Sequence, residues 1–197
     1  MLNAVLFDLD NTLVDRDRAF REWVAVSFAN PAARTALLEL DAGGHGDRDA
    51  LFAAWERHAG APTTQAMLGS QIAARLQRDL GLLNELRVLG AIMNLGIITN
   101  GGSETQWRKI RAAGLDDVIP RENVWISEEI GIAKPDPGIF LIASQSLGVP
   151  PGNCLVIGDH EPHDIVGAAA AGMRARLVDA VLDGERLATL MNQEQTR

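Results

Sequence analysis

The chain is poor in cysteine and in positive charge. Its single cysteine, Cys154, excludes an intrachain disulfide, and its place in an apolar stretch indicates a buried core thiol rather than a catalytic nucleophile. The 18 lysines and arginines are outnumbered by 26 aspartates and glutamates, which gives a formal net charge of −8. Because nucleic acids and anionic lipid surfaces attract basic patches, we expect neither as a partner.

Long apolar runs are absent as well. The longest, Val88 to Ile98, is interrupted by Asn94 and falls short of the roughly 20 residues that a membrane-spanning helix needs. Residues 1–10 have no basic start, which argues against a secretory signal and predicts a cytoplasmic protein. A hydrophobic share of 47% over 197 residues suits one packed core with at most a small second domain.

Short apolar segments that lead into polar loops recur along the chain. Residues 2–7, 95–99, 123–126 and 154–157 have the composition of strands buried on both faces, and residues 175–178 match less closely. Helical patterns lie between them, and Ser103 with Gln106 predicts a capping box at the start of one helix. The alternation predicts an α/β fold with a doubly wound, Rossmann-like parallel sheet.

Between the first two predicted strands the sequence has helical patterns only. Phe20 and Trp23 lie on one face of the first helix, and turns rich in glycine or containing proline separate the helices that follow. We therefore predict that residues 1–14 and 85–197 form the α/β core and that residues 15–84 form a small helical domain inserted after the first strand.

Two carboxylates, Asp8 and Asp10, follow the first predicted strand at the sheet edge where open α/β folds bind ligands. A turn after the strand would give them different roles, one attacking and the other transferring protons. A carboxylate can attack phosphorus and form an aspartyl-phosphate if a metal such as Mg2+ neutralises the charge. Alone, such a pair is also typical of surface turns and helix caps.

Two more acids, Asp159 and Asp164, follow the strand predicted at residues 154–157. If that strand neighbours the first one, Asp159 lies near Asp8 and can share a metal ion with it. Asp164 has two interpretations, a role at the metal or an ordinary cap of the next helix.

The remaining polar segments lie between these two. Thr99, Asn100 and Gly101 precede a helix, where backbone amides can hold phosphate oxygens, although a simple tight turn has the same composition. Lys134 lies in a proline-restricted loop and could offset the charge of the nucleophile, although a lone lysine is normally solvated.

Taken in order, the four segments resemble the four motifs of haloacid dehalogenase-like (HAD) hydrolases. The resemblance implies that Asp8 is the nucleophile and that Asp10 is the general acid and base. It further implies a Mg2+ ion bound by Asp8, by the backbone carbonyl of Asp10 and by Asp159.

The same resemblance assigns roles to the other segments. It implies that Thr99, Asn100 and Gly101 bind phosphate, that Lys134 orients and neutralises the nucleophile, and that Asp164 stabilises the acidic loop or reaches the metal through water. The inserted helices resemble the family's α-helical cap between the first two motifs.

The implied function is Mg2+-dependent hydrolysis of a small phosphate monoester, such as a nucleoside monophosphate or a sugar phosphate. Residues 126–135 resemble family members that act on such esters. A dehalogenase would lack the second acid, Asp10, and a phosphonate-cleaving relative would need a cap lysine, which residues 15–84 lack. A phosphomutase, a haloacid dehalogenase and a non-catalytic binding domain remain alternatives, although Asp10 favours the phosphatase over the dehalogenase. We expect a small-molecule partner and a monomer or homodimer.

Four further side chains near these segments are interpreted as structural. Arg16 and Arg18 are expected to be solvated at the start of the first helix, although either could contact a substrate anion. His160 and His163 are expected to be loop residues rather than metal ligands.

Overall fold

A computed structural model describes residues 1–195, in which five parallel strands form one sheet in the order β3-β2-β1-β4-β5. The strands are β1 (Ala4–Phe7), β2 (Asn94–Thr99), β3 (Val124–Ile126), β4 (Cys154–Gly158) and β5 (Arg174–Leu177). The strand order changes direction at the central strand β1, and the carboxyl ends beside such a switch point form the ligand-binding crevice of open α/β folds. The predicted α/β, Rossmann-like fold is confirmed.

Ten helices are found among the described residues. They are α1 (Arg16–Ser27), α2 (Pro31–Asp41), α3 (Arg48–Ala59), α4 (Gln65–Ala73), α5 (Leu80–Gly90), α6 (Ser103–Ala113), α7 (Ser127–Ile130), α8 (Pro137–Leu147), α9 (Gly167–Ala170) and α10 (Gly184–Gln195). A π-helical turn, Glu161–Val166, leads directly into α9. In this part of the chain no helix has both the length and the apolar character needed to cross a bilayer.

Both faces of the sheet are covered at strands β1–β4, which explains why these strands have continuous apolar sequences, whereas the edge strand β5 contains two arginines and is only partly buried. Val5 and Phe7 of β1 pack in one apolar cluster, and Ala4 and Leu6 pack in the cluster on the opposite face. Cys154 is fully buried in the second cluster, as its apolar neighbours in the sequence predict.

Helices α1–α4 enclose a third apolar cluster, in which the rings of Trp23 and Trp55 stack with centroids 4.1 Å apart. Helix α5, by contrast, contributes Leu82 and Leu86 to the cluster on the sheet. The predicted boundary between residues 84 and 85 thus falls inside α5, and the division into domains stays a prediction.

The inserted helices α1–α4, called the cap below, pack directly on the elements that cover the sheet. Gly69 in α4 faces α6 so closely that a Cβ atom there would approach Cγ2 of Thr105 to 2.5 Å. Between β1 and α1, Asn11 accepts a hydrogen bond from the Asp17 backbone N–H at 3.0 Å and donates to the Gly43 carbonyl at 3.4 Å. One residue of the core turn thus contacts two segments of the cap.

The predicted capping box at the start of α6 is wrong. The N-cap position is Gly102, and no side chain caps the helix there. Ser103 instead donates through Oγ to Glu129. Gln106 turns towards the carboxyl edge of the sheet, where it donates to Thr99 Oγ1 at 2.6 Å. Gln106 therefore makes a tertiary hydrogen bond instead of the local capping bond that its spacing predicts.

Candidate active site

The carboxyl ends of β1, β2 and β4 bring the predicted site residues to one edge. Phe7 is in register with Ile97 of β2 and Ile157 of β4, so the residues that follow these strands are neighbours. After Asp8 the chain turns sharply, and Asn11 adopts a left-handed φ of 58°, which asparagine tolerates better than most residues. The turn aims Asp8 and Asp10 at different neighbours.

Asp8 belongs to a buried cluster of charges. Lys134 Nζ donates to Asp8 Oδ1 and to Asp164 Oδ1, both at 2.6 Å. The exposed fractions of Asp8, Lys134 and Asp164 are 8%, 5% and 1%. Carboxylate oxygens of Asp8, Asp159 and Asp164 all lie within 4.8 Å of one another. One ammonium therefore faces three carboxylates.

This excess of negative charge disturbs the titration of the cluster. Burial, together with the nearby Asp164 and Asp10 and against the opposing effect of Lys134, raises the pKa of Asp8 to about 7. Burial and Asp164 raise the pKa of Asp159 to about 6. Burial alone would lower the pKa of Lys134, but Asp8 and Asp164 raise it to about 12. The site would be stabilised by a further positive charge.

The carboxylate oxygens of Asp8, Asp159 and Asp164 lie close together, and Lys134 neutralises only part of their negative charge. Such hard oxygen ligands fit the preference of Mg2+. Asp8 and Asp159 are close enough to share an ion, as the sequence predicts. Asp164 lies in the same group, but Lys134 holds one of its oxygens and the His160 backbone N–H donates to the other at 3.0 Å. Gly158 makes this approach possible, because a Cβ there would lie 2.2 Å from Asp164 Oδ2.

The segment predicted to bind phosphate borders the same cluster. Thr99 is buried at the end of β2, and the Asn100 side chain fixes the Lys134 loop by donating to the Lys134 carbonyl at 2.8 Å and accepting from its N–H at 2.9 Å. The Gly101 N–H donates to Ser127 Oγ at 3.0 Å. Asn100 thus positions Lys134, and phosphate binding by these residues stays a prediction.

Asp10 has partners that the sequence analysis missed. Lys109 Nζ lies 2.5 Å from Asp10 Oδ2, and Gln106 Nε2 donates to the same oxygen at 3.2 Å. Burial opposes ionisation of Asp10, yet Lys109, with smaller contributions from Arg16 and Gln106, lowers the pKa of this carboxyl. The other oxygen, Oδ1, is buried and has no hydrogen-bond partner among the described residues, so it can accept a proton or a hydrogen bond from a bound molecule.

The chain has only two lysines, and both are buried against aspartates of the site. Lys134 contacts Asp8 and Lys109 contacts Asp10. This scarcity could have identified Lys109 as a candidate site residue from sequence, because a lysine in a lysine-poor chain is more often there for a specific contact.

Arg16 is not solvated, contrary to expectation. It is 3% exposed and binds Asp41 with both terminal nitrogens, with 2.5 Å between Nη2 and Oδ1. Arg48 binds the same carboxylate at 2.8 Å. Two guanidinium groups therefore share one carboxylate at the base of the cap. Arg18 lies on the helix surface, where it pairs with Glu22 at 2.7 Å.

Two connected cavities lie between cap and core. A cleft of about 310 Å³ lies over Asp8 and Lys134. A second cavity of about 510 Å³ shares Asp10, Arg48 and Asn100 with it. Its lining combines apolar cap residues with polar side chains: Phe52, Leu68, Ile72, Gln65, Lys109 and Glu128.

Comparison with known proteins identifies relatives of this chain. Residues 2–172 match the family model of haloacid dehalogenase-like hydrolases. A glyceraldehyde 3-phosphate phosphatase of Pyrococcus abyssi is 30% identical over 196 residues, which cover 88% of this chain and 80% of that protein. One of the same name from Methanopyrus kandleri is 42% identical over 91 residues, which cover 46% of this chain and 37% of that protein.

Solved structures share the fold. A HAD-hydrolase of Bacillus subtilis, in a crystal form bound to magnesium, matches with a TM-score of 0.73 and 21% sequence identity. The match covers 97% of this chain and 99% of that one, so it includes both the sheet and the helices inserted after β1.

Proposed function

Because the chain belongs to the haloacid dehalogenase-like hydrolase family, as its motifs predict, we propose that it is a Mg2+-dependent phosphatase of small phosphate monoesters. The observation that supports this function best is the buried contact of Asp8 with Lys134 beside Asp159 and Asp164. A carboxylate nucleophile needs neighbouring positive charge to approach a phosphate dianion, and Lys134 supplies part of it.

In the first step, an oxygen of Asp8 attacks phosphorus, and the bond from phosphorus to the ester oxygen breaks. The ion pair of Asp10 and Lys109, whose side chains are hydrogen-bonded, supplies the proton that passes to the leaving oxygen. In the second step, water attacks the aspartyl-phosphate and returns a proton to the pair while Asp8 is released. A bound Mg2+ supplies charge that offsets the nucleophile and the phosphate. Asp8, Asp159 and the Asp10 carbonyl would hold it.

The cavities limit the size of the substrate. With the phosphoryl group over Asp8, the rest of the ester would occupy the adjoining space of about 510 Å³, which suits a small metabolite. Its apolar and polar lining suits a sugar phosphate or a nucleoside monophosphate. The relatives named glyceraldehyde 3-phosphate phosphatases support a sugar phosphate, the smaller of these two substrates. A cytoplasmic location and a monomeric or homodimeric state stay predictions from sequence.

The proposal is tested by a panel of phosphorylated metabolites assayed for released phosphate with added Mg2+. We expect turnover of at least one small ester, its loss on treatment with EDTA, and its return when Mg2+ exceeds the chelator. Turnover that survives chelation would remove Mg2+ from the mechanism. Conversion between sugar-phosphate isomers without phosphate release would identify a mutase, and no reaction across the panel would favour a non-catalytic domain.

Lys109→Met is expected to shift the pH profile of kcat, the parameter that includes hydrolysis of the aspartyl-phosphate. Asp10 must be ionised to accept a proton from water, and the Lys109 ammonium lowers the pKa of this carboxyl. Without Lys109 the pKa of Asp10 rises, so the acidic limb of the profile moves to higher pH. Arg108→Met, which removes an exposed cation one position away in α6, is the matched control and should leave the profile in place. An unshifted limb in Lys109→Met would contradict this role.

A further inference from the structure

Three of the chain's four histidines meet at the mouth of the cleft over Asp8. His160 and His163 lie in the loop and π-helical turn that follow β4, whereas His45 belongs to the cap, between α2 and α3. The ring centroid of His45 is 3.9 Å from that of His160 and 5.3 Å from that of His163. The remaining pair of centroids is 4.2 Å apart. We call these residues the histidine cluster.

The cluster has the donor chemistry of a transition-metal site. One ring nitrogen of each histidine lies within 4.8 Å of the other two. Zn2+ binds imidazole nitrogen at about 2.0–2.1 Å and takes three protein ligands with water in the fourth position. The rings of His45 and His160 are stacked, so at least one of them must rotate before three nitrogens reach that distance from one ion. The carboxylates beside Asp8 offer oxygen instead, so the two sites favour different metals.

The rings are available as ligands. His45 is exposed overall, but partial burial of its ring lowers its pKa, and the neighbouring imidazoles of His160 and His163 act in the same direction. The resulting pKa is about 4, so the ring is neutral at neutral pH. His160 Nδ1 accepts a long hydrogen bond of 3.3 Å from the His163 backbone N–H. A metal on Nε2 would require the ring proton to move to Nδ1, which gives up only this weak bond.

We propose that His45, His160 and His163 bind one Zn2+ ion that joins the cap to the core across the mouth of the cleft. Two ligands come from the core and one from the cap, so the ion would hold the cap in its present position on the core. Because substrate and product must pass between cap and core, the bound ion would inhibit turnover reversibly. This inhibition rests on the proposed phosphatase function, whereas metal binding does not.

Binding is tested by calorimetric titration of the metal-stripped protein with Zn2+ in excess Mg2+, and by the visible spectrum of the Co2+-substituted protein. We expect one Zn2+ per chain and the absorption of tetrahedral Co2+. His45→Ala and His163→Ala should both lose the site. His58→Ala is the matched control, because His58 is the fourth histidine and is exposed on α3. It should bind like the wild type.

Further variants separate this site from the carboxylates. Asp159→Asn removes a ligand of the proposed Mg2+ site and should still bind Zn2+. Absence of stoichiometric Zn2+ binding by the wild type, equal binding by His45→Ala and His58→Ala, or loss of binding in Asp159→Asn would each overturn the proposal. Because no substrate is present, these outcomes do not depend on phosphatase activity.

Inhibition is measured as the ratio of rates with and without Zn2+ for each variant, at saturating Mg2+. We expect a low ratio for the wild type and His58→Ala, a ratio near one for His45→Ala, and recovery of the wild type when a chelator selective for Zn2+ is added. Equal inhibition of His45→Ala would overturn the inhibitory role while leaving the binding site in place. A protein that binds Zn2+ through the cluster but hydrolyses no ester would refute the phosphatase proposal alone.

Discussion

Asp8→Asn is expected to abolish phosphate release while the protein stays folded. The amide has nearly the same volume as the carboxylate but cannot attack phosphorus, and loss of an enzyme nucleophile costs roughly 10⁵-fold or more in kcat. The measurement is phosphate release from the best ester of the panel, at saturating Mg2+. Asp116→Asn, which changes an exposed carboxylate, is the matched control and should keep wild-type turnover.

The same variant should be at least as stable as the wild type when no metal is bound. The pKa of Asp8 is raised to about 7 in the folded protein, so its ionised form is disfavoured there. Stability associated with this group is therefore present at low pH and lost as the pH rises through about 7. Asparagine removes that loss, and thermal unfolding at pH 8 in EDTA should show an equal or higher Tm. A strongly lowered Tm would mean that misfolding explains the inactivity, and retained turnover would exclude covalent catalysis by Asp8.

The sheet and the meeting of its acids were predictable because their signals are local. Strands buried on both faces must be apolar along their length, and parallel strands bring their carboxyl ends to one edge. From these two rules, Asp8 and Asp159 are expected to be neighbours if their strands are adjacent, and the structure pairs β1 with β4 and places the oxygens within 4.8 Å. The role of Lys134 needed the resemblance to a family as well, because nothing local separates it from a surface lysine.

The partners of Asp10 and of Arg16 were not predictable in the same way. Gln106 has the spacing of a capping residue, but its amide binds Asp10, which lies 96 positions earlier in the chain. Arg16 has the position of a solvated residue at a helix start, but Asp41, at the end of another cap helix, binds it. In both cases the tertiary contact lies on a helix face whose orientation depends on packing between cap and core. Local patterns carry no information about that orientation.

Lys134→Met is expected to lower kcat/KM at pH 7 by about 10³-fold, the loss associated with removing one electrostatic stabiliser of a reaction centre. The variant also leaves Asp8 and Asp164 buried next to each other without their shared ammonium. Their mutual repulsion raises the pKa of Asp8 above its value of about 7, so less of the nucleophile is ionised at neutral pH. Activity should therefore recover in part as the pH is raised, which a purely structural role for Lys134 would not produce.

Stability should respond to Lys134→Met with the opposite dependence on pH. Removing one member of a buried ion pair costs about 3–5 kcal/mol when the partner stays charged. Below the raised pKa of Asp8 the carboxyl takes up a proton, so the energetic cost of removing Lys134 falls. The destabilisation should therefore be small at about pH 5.5 and largest near about pH 8, which lie on either side of the Asp8 pKa of about 7. Chemical denaturation in EDTA at both pH values measures this difference, with Arg87→Met, an exposed basic residue of α5, as the matched control. Equal destabilisation at the two pH values would show that Lys134 supports the fold by packing alone and that its charge does not hold Asp8 and Asp164 together.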